Sequence, residues 1–153
     1  MYIDRMKKAR KLIAEIPDKK LRMSTWIKVD YLPNGDTPSV AVLKQESCGT
    51  VGCIAGWVNT CFVNRFAEDS SRENAKEYLG LTNTEANALF YLELPDFLFQ
   101  SNETEIPKLE HFDKQKPAKR KEKILEIFDY IIKYGFTWLT VEEQSYRVKQ
   151  FGH

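Results

Sequence analysis

The chain has 153 residues, of which 42% are hydrophobic, 12% aromatic and 29% charged, with a formal net charge of +1. These are the fractions of a globular protein long enough to bury its own core, and they exclude a disordered or low-complexity chain. No apolar run nears the ~20 residues of a membrane helix.

The opening stretch MYIDRMKKARKLIAEIP is charged throughout and lacks the apolar block of a secretory signal. Three cysteines are too few and too odd in number for a disulfide framework, so a reducing cytoplasm is expected, with no membrane. The charge is unevenly spread. Residues 1–30 hold nine Lys/Arg against four Asp/Glu, residues 66–113 hold three against eleven, and residues 114–123 (KQKPAKRKEK) hold six basic groups and one Glu. That asymmetry either guides an anionic partner to one side of the fold or reflects alternating solvated helix faces.

Ile3, Met6, Ala9, Ile13 and Ile16 recur at helical spacing, which predicts an amphipathic helix over 3–16 stopped by Pro17. Residues 23–45 then read as a β-hairpin. Thr25, Ile27, Val29 and Tyr31 alternate with Trp26, Lys28 and Asp30, and Asn34-Gly35 suits a tight hairpin turn. Residues 52–66 predict a helix that is apolar almost all round, through Ile54, Trp57, Val58, Phe62 and Phe66, and such a helix belongs in the middle of a domain.

A charged helix over 70–79 closes at Gly80. Thr82 and Glu85 match a capping box that opens the next helix, which reaches about Leu92 before Pro95. Residues 96–117 read as loop, with a short helical piece around 109–112. Ile124, Leu125, Phe128, Ile131 and Ile132 stripe a helix between Pro117 and Gly135, and Thr140 with Glu143 opens a last one. The fold expected is mainly α (α+β): one domain over 1–153, a bundle of five to six helices with one β-hairpin at about 23–45.

The stretch ESCGTVGCIAGWV, residues 46–58, is where chemistry would sit. A thiol at Cys53, in the first turn of the central helix, would feel the positive helix end, which favours a thiolate nucleophile. Its base would be His111, oriented by Asp113 or Glu110, because His153 is the only other histidine. Cys48 is the alternative nucleophile, or a redox partner for Cys53. Against catalysis, no strand after residue 50 carries the base. Inert packing of Cys53 at the helix start is the simpler reading.

No metal is expected. Cys48, Cys53 and Cys61 have a C-x4-C-x7-C spacing unlike a zinc knuckle, and Cys53 and Cys61 stand roughly 12 Å apart along a helix. Gly52 and Gly56 leave a flat strip beside Cys53 and Trp57, suited to close helix packing or to a flat ligand. In the ligand version Trp26, Cys48, Gly49, Thr50, Cys53, Gly56 and Trp57 line a pocket for a small nucleotide-like molecule. Residues 75–92 loosely outline a helix-turn-helix, but the second helix carries Glu85 and Glu93 and no basic residue, so specific DNA reading is not expected. The basic run lacks aromatics for base stacking. It offers Lys116, Lys119, Arg120, Lys121 and Lys123 as a partner-binding patch, or as the solvated lead-in to a helix.

Residues 23–26 (MSTW), residues 48–50 with Cys53, Ala55 and Gly56, residues 79–81 (LGL), and Leu89 with Phe90 together resemble an uncharacterised family of small phage, prophage and bacterial proteins. Its outline is MSTW…CGTxxCxAG…LGL…LF, and the likeness covers roughly residues 22–135. Family members often carry His at the position of Trp57 and another near Tyr130, and neither is a histidine here. The resemblance implies a phage or mobile-element origin and brings no reaction with it.

The reading that follows is a small non-enzymatic binding protein without a cofactor, a modulator of a host protein acting in the host cytoplasm. Two alternatives stay open: a hydrolase or transferase using Cys53 or Cys48 with His111, and a nucleotide-like ligand pocket. The oligomeric state is not readable.

Overall fold

The computed structural model describes residues 1–23, 25, 27–28, 39–43, 51–64, 70–95 and 114–139, and these are mainly helical. Helix α1 (Ile3–Glu15) buries Met6, Ala9, Leu12 and Ile13. It ends because the residue before a proline is pushed out of the helical region. Ile16 is accordingly extended, with φ −71° and ψ 146°. Ile3, expected on the buried stripe, is instead exposed, because the first helical position has no preceding turn to pack beside it. A 3₁₀ turn (Asp18–Lys20) follows.

The expected hairpin is half met. Its first strand exists as β1 (Ile27–Lys28), but the antiparallel partner is β2 (Val51–Gly52), with Ile27 opposite Gly52 and Lys28 opposite Val51. Val40–Leu43, read as the returning strand, is a helical turn, α2. Four consecutive apolar residues carry no alternation, so their pattern does not separate a strand from a buried helical turn. Gly52 also forms a parallel bridge to Leu21, placing its backbone between two chain segments. The Asn34-Gly35 turn lies outside the described residues.

Helix α3 is shorter than expected, Ile54–Val58, and runs into a π-helical turn over Asn59–Val63 rather than continuing to 66. Helix α4 (Ser71–Leu79) stops at Gly80, whose φ of 67° suits glycine. Helix α5 (Asn83–Phe90) opens with the predicted capping box. Glu85 N donates to Thr82 Oγ1 at 3.2 Å, and Thr82 N donates to Glu85 Oε1 at 2.8 Å. Helix α6 (Pro117–Tyr134) begins with proline at its first position and ends at Gly135. The pieces expected near 109–112 and from Thr140 onward lie outside the described residues.

The buried apolar residues form one cluster in which Trp57, Phe90 and Phe128 are the largest fully covered side chains. Helix α1 packs on α6, and α3 packs on α4 and α1. Each aliphatic side chain so covered contributes about 1.5–3 kcal/mol. Arg10 on α1 ties to α6 by two parallel contacts with Asp129, at 2.5 and 3.0 Å. That hydrogen bonding raises the Arg10 pKa above its ordinary value despite partial desolvation. Among the described residues no helix is long and apolar enough to cross a membrane.

Candidate functional site

Cys53 is the N-cap of α3 rather than a residue of its first turn. It is extended, at φ −82° and ψ 179°, and its Sγ accepts a hydrogen bond from Gly56 N at 3.5 Å. Cys53 N donates to Thr25 O at 2.7 Å, and Trp57 N closes the helix on Cys53 O at 3.0 Å. The residue is 1% exposed. The thiol therefore acts as a capping acceptor under cover, and an electrophile has no approach to it in this conformation. Cys61 is half-buried in the π turn. The proposed partners Cys48 and His111 lie outside the described residues, as do Glu110 and Asp113.

The pocket residues divide in the same way. Cys53, Gly56 and Trp57 are brought together, but all three are buried. Trp57 is wholly covered, and its indole Nε1 donates to Lys20 O at 3.0 Å. Gly52, half of the expected flat strip, is occupied by backbone: it pairs with Ile27 and Leu21 and accepts from Arg22 N at 2.9 Å. Trp26, Gly49 and Thr50 lie outside the described residues. Among the described residues, no cluster of three or more His, Cys, Asp or Glu is placed to hold a metal ion.

The basic run does not form one patch. Arg120 is buried, with Nη2 donating to Leu21 O at 3.1 Å and Nη1 to Gln115 O at 2.9 Å. Lys121 donates to Ile16 O and pairs with Asp18 at 3.2 Å, and Lys123 pairs with Glu126 at 3.3 Å. Only Lys116 and Lys119 of the five are exposed. The sequence shows charges but not the carbonyls they serve. Residues 16–21 turn without regular strand pairing, so their carbonyl oxygens draw donors from Trp57, Arg120 and Lys121.

A different surface emerges where α1, α4 and the π turn meet. The π turn is closed by Asn64 N donating to Asn59 O at 2.9 Å. It is pinned by the buried Asn59 amide, whose Oδ1 accepts from Asn74 Nδ2 at 2.9 Å and whose Nδ2 donates to Ser71 Oγ at 3.4 Å. Asn59 and Thr60 at the start of the π turn are buried, whereas its last two residues face outward. Phe62 and Val63 are 37% and 47% exposed.

Phe62 lies flat on Tyr78 of α4, with ring centroids 5.3 Å apart and planes at 11°. The Arg5 guanidinium sits 4.7 Å from the Tyr78 centroid and 4.9 Å from that of Tyr2. Arg5 Nη1 also donates to Tyr78 O at 2.9 Å. Tyr2 is fixed by its backbone N on Leu79 O at 2.9 Å and by Gly80, where an added Cβ would come within 2.8 Å of the ring.

The result is a ladder, Tyr2–Arg5–Tyr78–Phe62, built from three separate parts of the chain. Sequence reasoning missed it. In the sequence Tyr78 belongs to a charged helix and Phe62 to a helix that is apolar almost all round. The one local hint is Tyr2 and Arg5 at i,i+3 spacing on a helix start.

Nearby on α4, Glu73 sits between Lys76, at 3.4 Å, and Arg72. Burial pushes its pKa up, but the hydrogen bonds and charges of Lys76 and Arg72 outweigh that and hold the carboxyl below its ordinary range. Comparison of the chain with family models, curated proteins and solved structures finds no match.

Proposed function

We propose that this chain is a non-enzymatic binding protein that docks another protein on the Tyr2–Arg5–Tyr78–Phe62 face. The carrying observation is where its apolar surface lies. Of the five large hydrophobic side chains exposed among the described residues, Tyr2 and Phe62 belong to this ladder and Ile3 and Val63 follow them directly in the chain. Exposed aromatic surface held in a fixed arrangement supports an interaction surface there.

The cysteine turn supports the same reading from the other side, because its thiol and tryptophan are taken up by the fold. The resemblance to small phage proteins supports a modulator of a host factor as the biological setting. The test is affinity capture from a bacterial lysate, with wild type, Phe62→Ser/Val63→Ser and Lys116→Glu/Lys119→Glu compared by quantitative mass spectrometry. A partner lost with the first variant and kept with the second is expected. A partner that survives the first variant, with its helical circular dichroism unchanged, rules this face out.

A further inference from the structure

We propose that Arg5 is a carboxylate receptor within the docking face, reading an acidic side chain of the partner protein; this rests on the docking role given to that face. The guanidinium is held on two sides by the Tyr2 and Tyr78 rings and at one nitrogen by the Tyr78 carbonyl. Two ring contacts and one hydrogen bond remove most of the rotamer freedom that an arginine loses on binding. Among the described residues, no carboxylate pairs with Arg5, and Nε and Nη2 make no hydrogen bond. That edge presents two parallel N–H donors, the geometry that matches both oxygens of a carboxylate.

Electrostatics favours an acidic occupant. Arg5, Lys7, Lys8 and Lys11 are exposed on α1 against the carboxylates of Asp4 and Glu15, the latter 3.9 Å from Lys11. Arg10 is paired with Asp129, so an excess of positive charge is left on the exposed surface of the helix. The first turn of α1 has no side-chain cap, and its amide groups add positive potential beside Tyr2 that Asp4 in the same turn partly offsets. Beyond the Tyr78 ring, Phe62 supplies exposed apolar surface, and Val63 follows it in the chain. The matching epitope is therefore an Asp or Glu next to an aromatic or branched aliphatic residue.

A single-stranded nucleic acid fits less well. Such ligands stack bases on open ring faces. Tyr78 has Arg5 against its ring and Phe62 stacked on it, so base stacking has little beyond the outer face of Phe62.

The test selects peptides from a random displayed library on wild-type protein, then measures synthetic versions by fluorescence anisotropy. Selected sequences should carry Asp or Glu beside an apolar residue. Changing that acid to its amide should weaken binding about tenfold or more, and Arg5→Lys, which keeps charge but loses the fork, should weaken it similarly. On Arg5→Lys the acid-to-amide change should then have a much smaller effect than on wild type, because only the point charge is left.

Peptides that depend on Phe62 and Val63 but not on an acid would overturn the carboxylate role and leave the docking face standing. Peptides indifferent to Phe62→Ser/Val63→Ser, or no selected peptides at all, would overturn both. Arg5-dependent binding of single-stranded oligothymidine tighter than that of any peptide would reassign the edge to phosphate and overturn the proposal.

Discussion

Replacing Trp57 by phenylalanine removes one hydrogen-bond donor and part of one ring from the best-covered point of the fold. Trp57 is 0% exposed, and its Nε1 lies 3.0 Å from Lys20 O. Withdrawing a donor from a buried carbonyl costs about 1–3 kcal/mol. The lost ring atoms leave space that a packed interior refills only in part, adding about 1 kcal/mol. The sum is about 2–4 kcal/mol.

For a chain of this size each kcal/mol moves the melting temperature by about 2–4 °C, so a fall of about 5–15 °C is expected. Urea and thermal unfolding followed by far-ultraviolet circular dichroism measure both quantities. Trp138→Phe is the control, because Trp138 only packs part-buried against the core beside Phe136 and Tyr130. It should cost less than about 1 kcal/mol. If Trp57→Phe costs no more than the control, the indole is not seated on the 16–21 turn, and the account of that turn as a collector of side-chain donors fails.

Thr82→Ala should destabilise by about 1 kcal/mol through loss of the α5 cap, and Thr82→Ser by much less, both read by urea unfolding. Glu73→Gln should lower stability by less than about 1 kcal/mol at neutral pH, given that the side chain is largely exposed. Because the folded state holds the Glu73 carboxyl below its ordinary range, that contribution is present above the ordinary carboxylate pKa and fades as pH falls through the folded value. Unfolding curves of wild type and variant should therefore converge in acid, and divergence there would reverse the sign assigned. Under native conditions iodoacetamide should label Cys61 faster than Cys53, with the order lost in urea. Mass spectrometry of the digested peptides checks it, and fast native labelling of Cys53 would contradict its burial.

Helix ends were legible in the sequence because their signals are local. Pro17, Gly80, the Thr82–Glu85 pair, Pro117 and Gly135 each act through a neighbour a few residues away, and each stands at or next to a helix end. What was not legible depends on distant partners. Arg120 and Lys121 look like part of a basic patch until the carbonyls of Leu21 and Ile16 arrive from 99 and 105 positions away. The strand at Ile27–Lys28 shows in the alternation, but its partner, a valine–glycine pair, has no side-chain pattern to announce it. Phe62 and Val63 were hidden because a segment apolar almost all round carries no polar face to mark where it leaves the core.

The cysteine turn and the proposed docking face are joined through one short helix. Cys53 caps α3 at its start, and the five residues of α3 are all buried, so the helix has little freedom to rotate or slide. Whatever direction the cap sets is passed to the π turn, which Asn59 then locks to α4 through Ser71 and Asn74. Phe62 leaves that turn already stacked on Tyr78, and Tyr78 already holds Arg5. Side chains fixed before a partner arrives lose little entropy on contact, and that loss is a main cost of association. A packed Cys53 is thus compatible with the proposed recognition: it fixes where the helix begins, and the face is set where the helix ends.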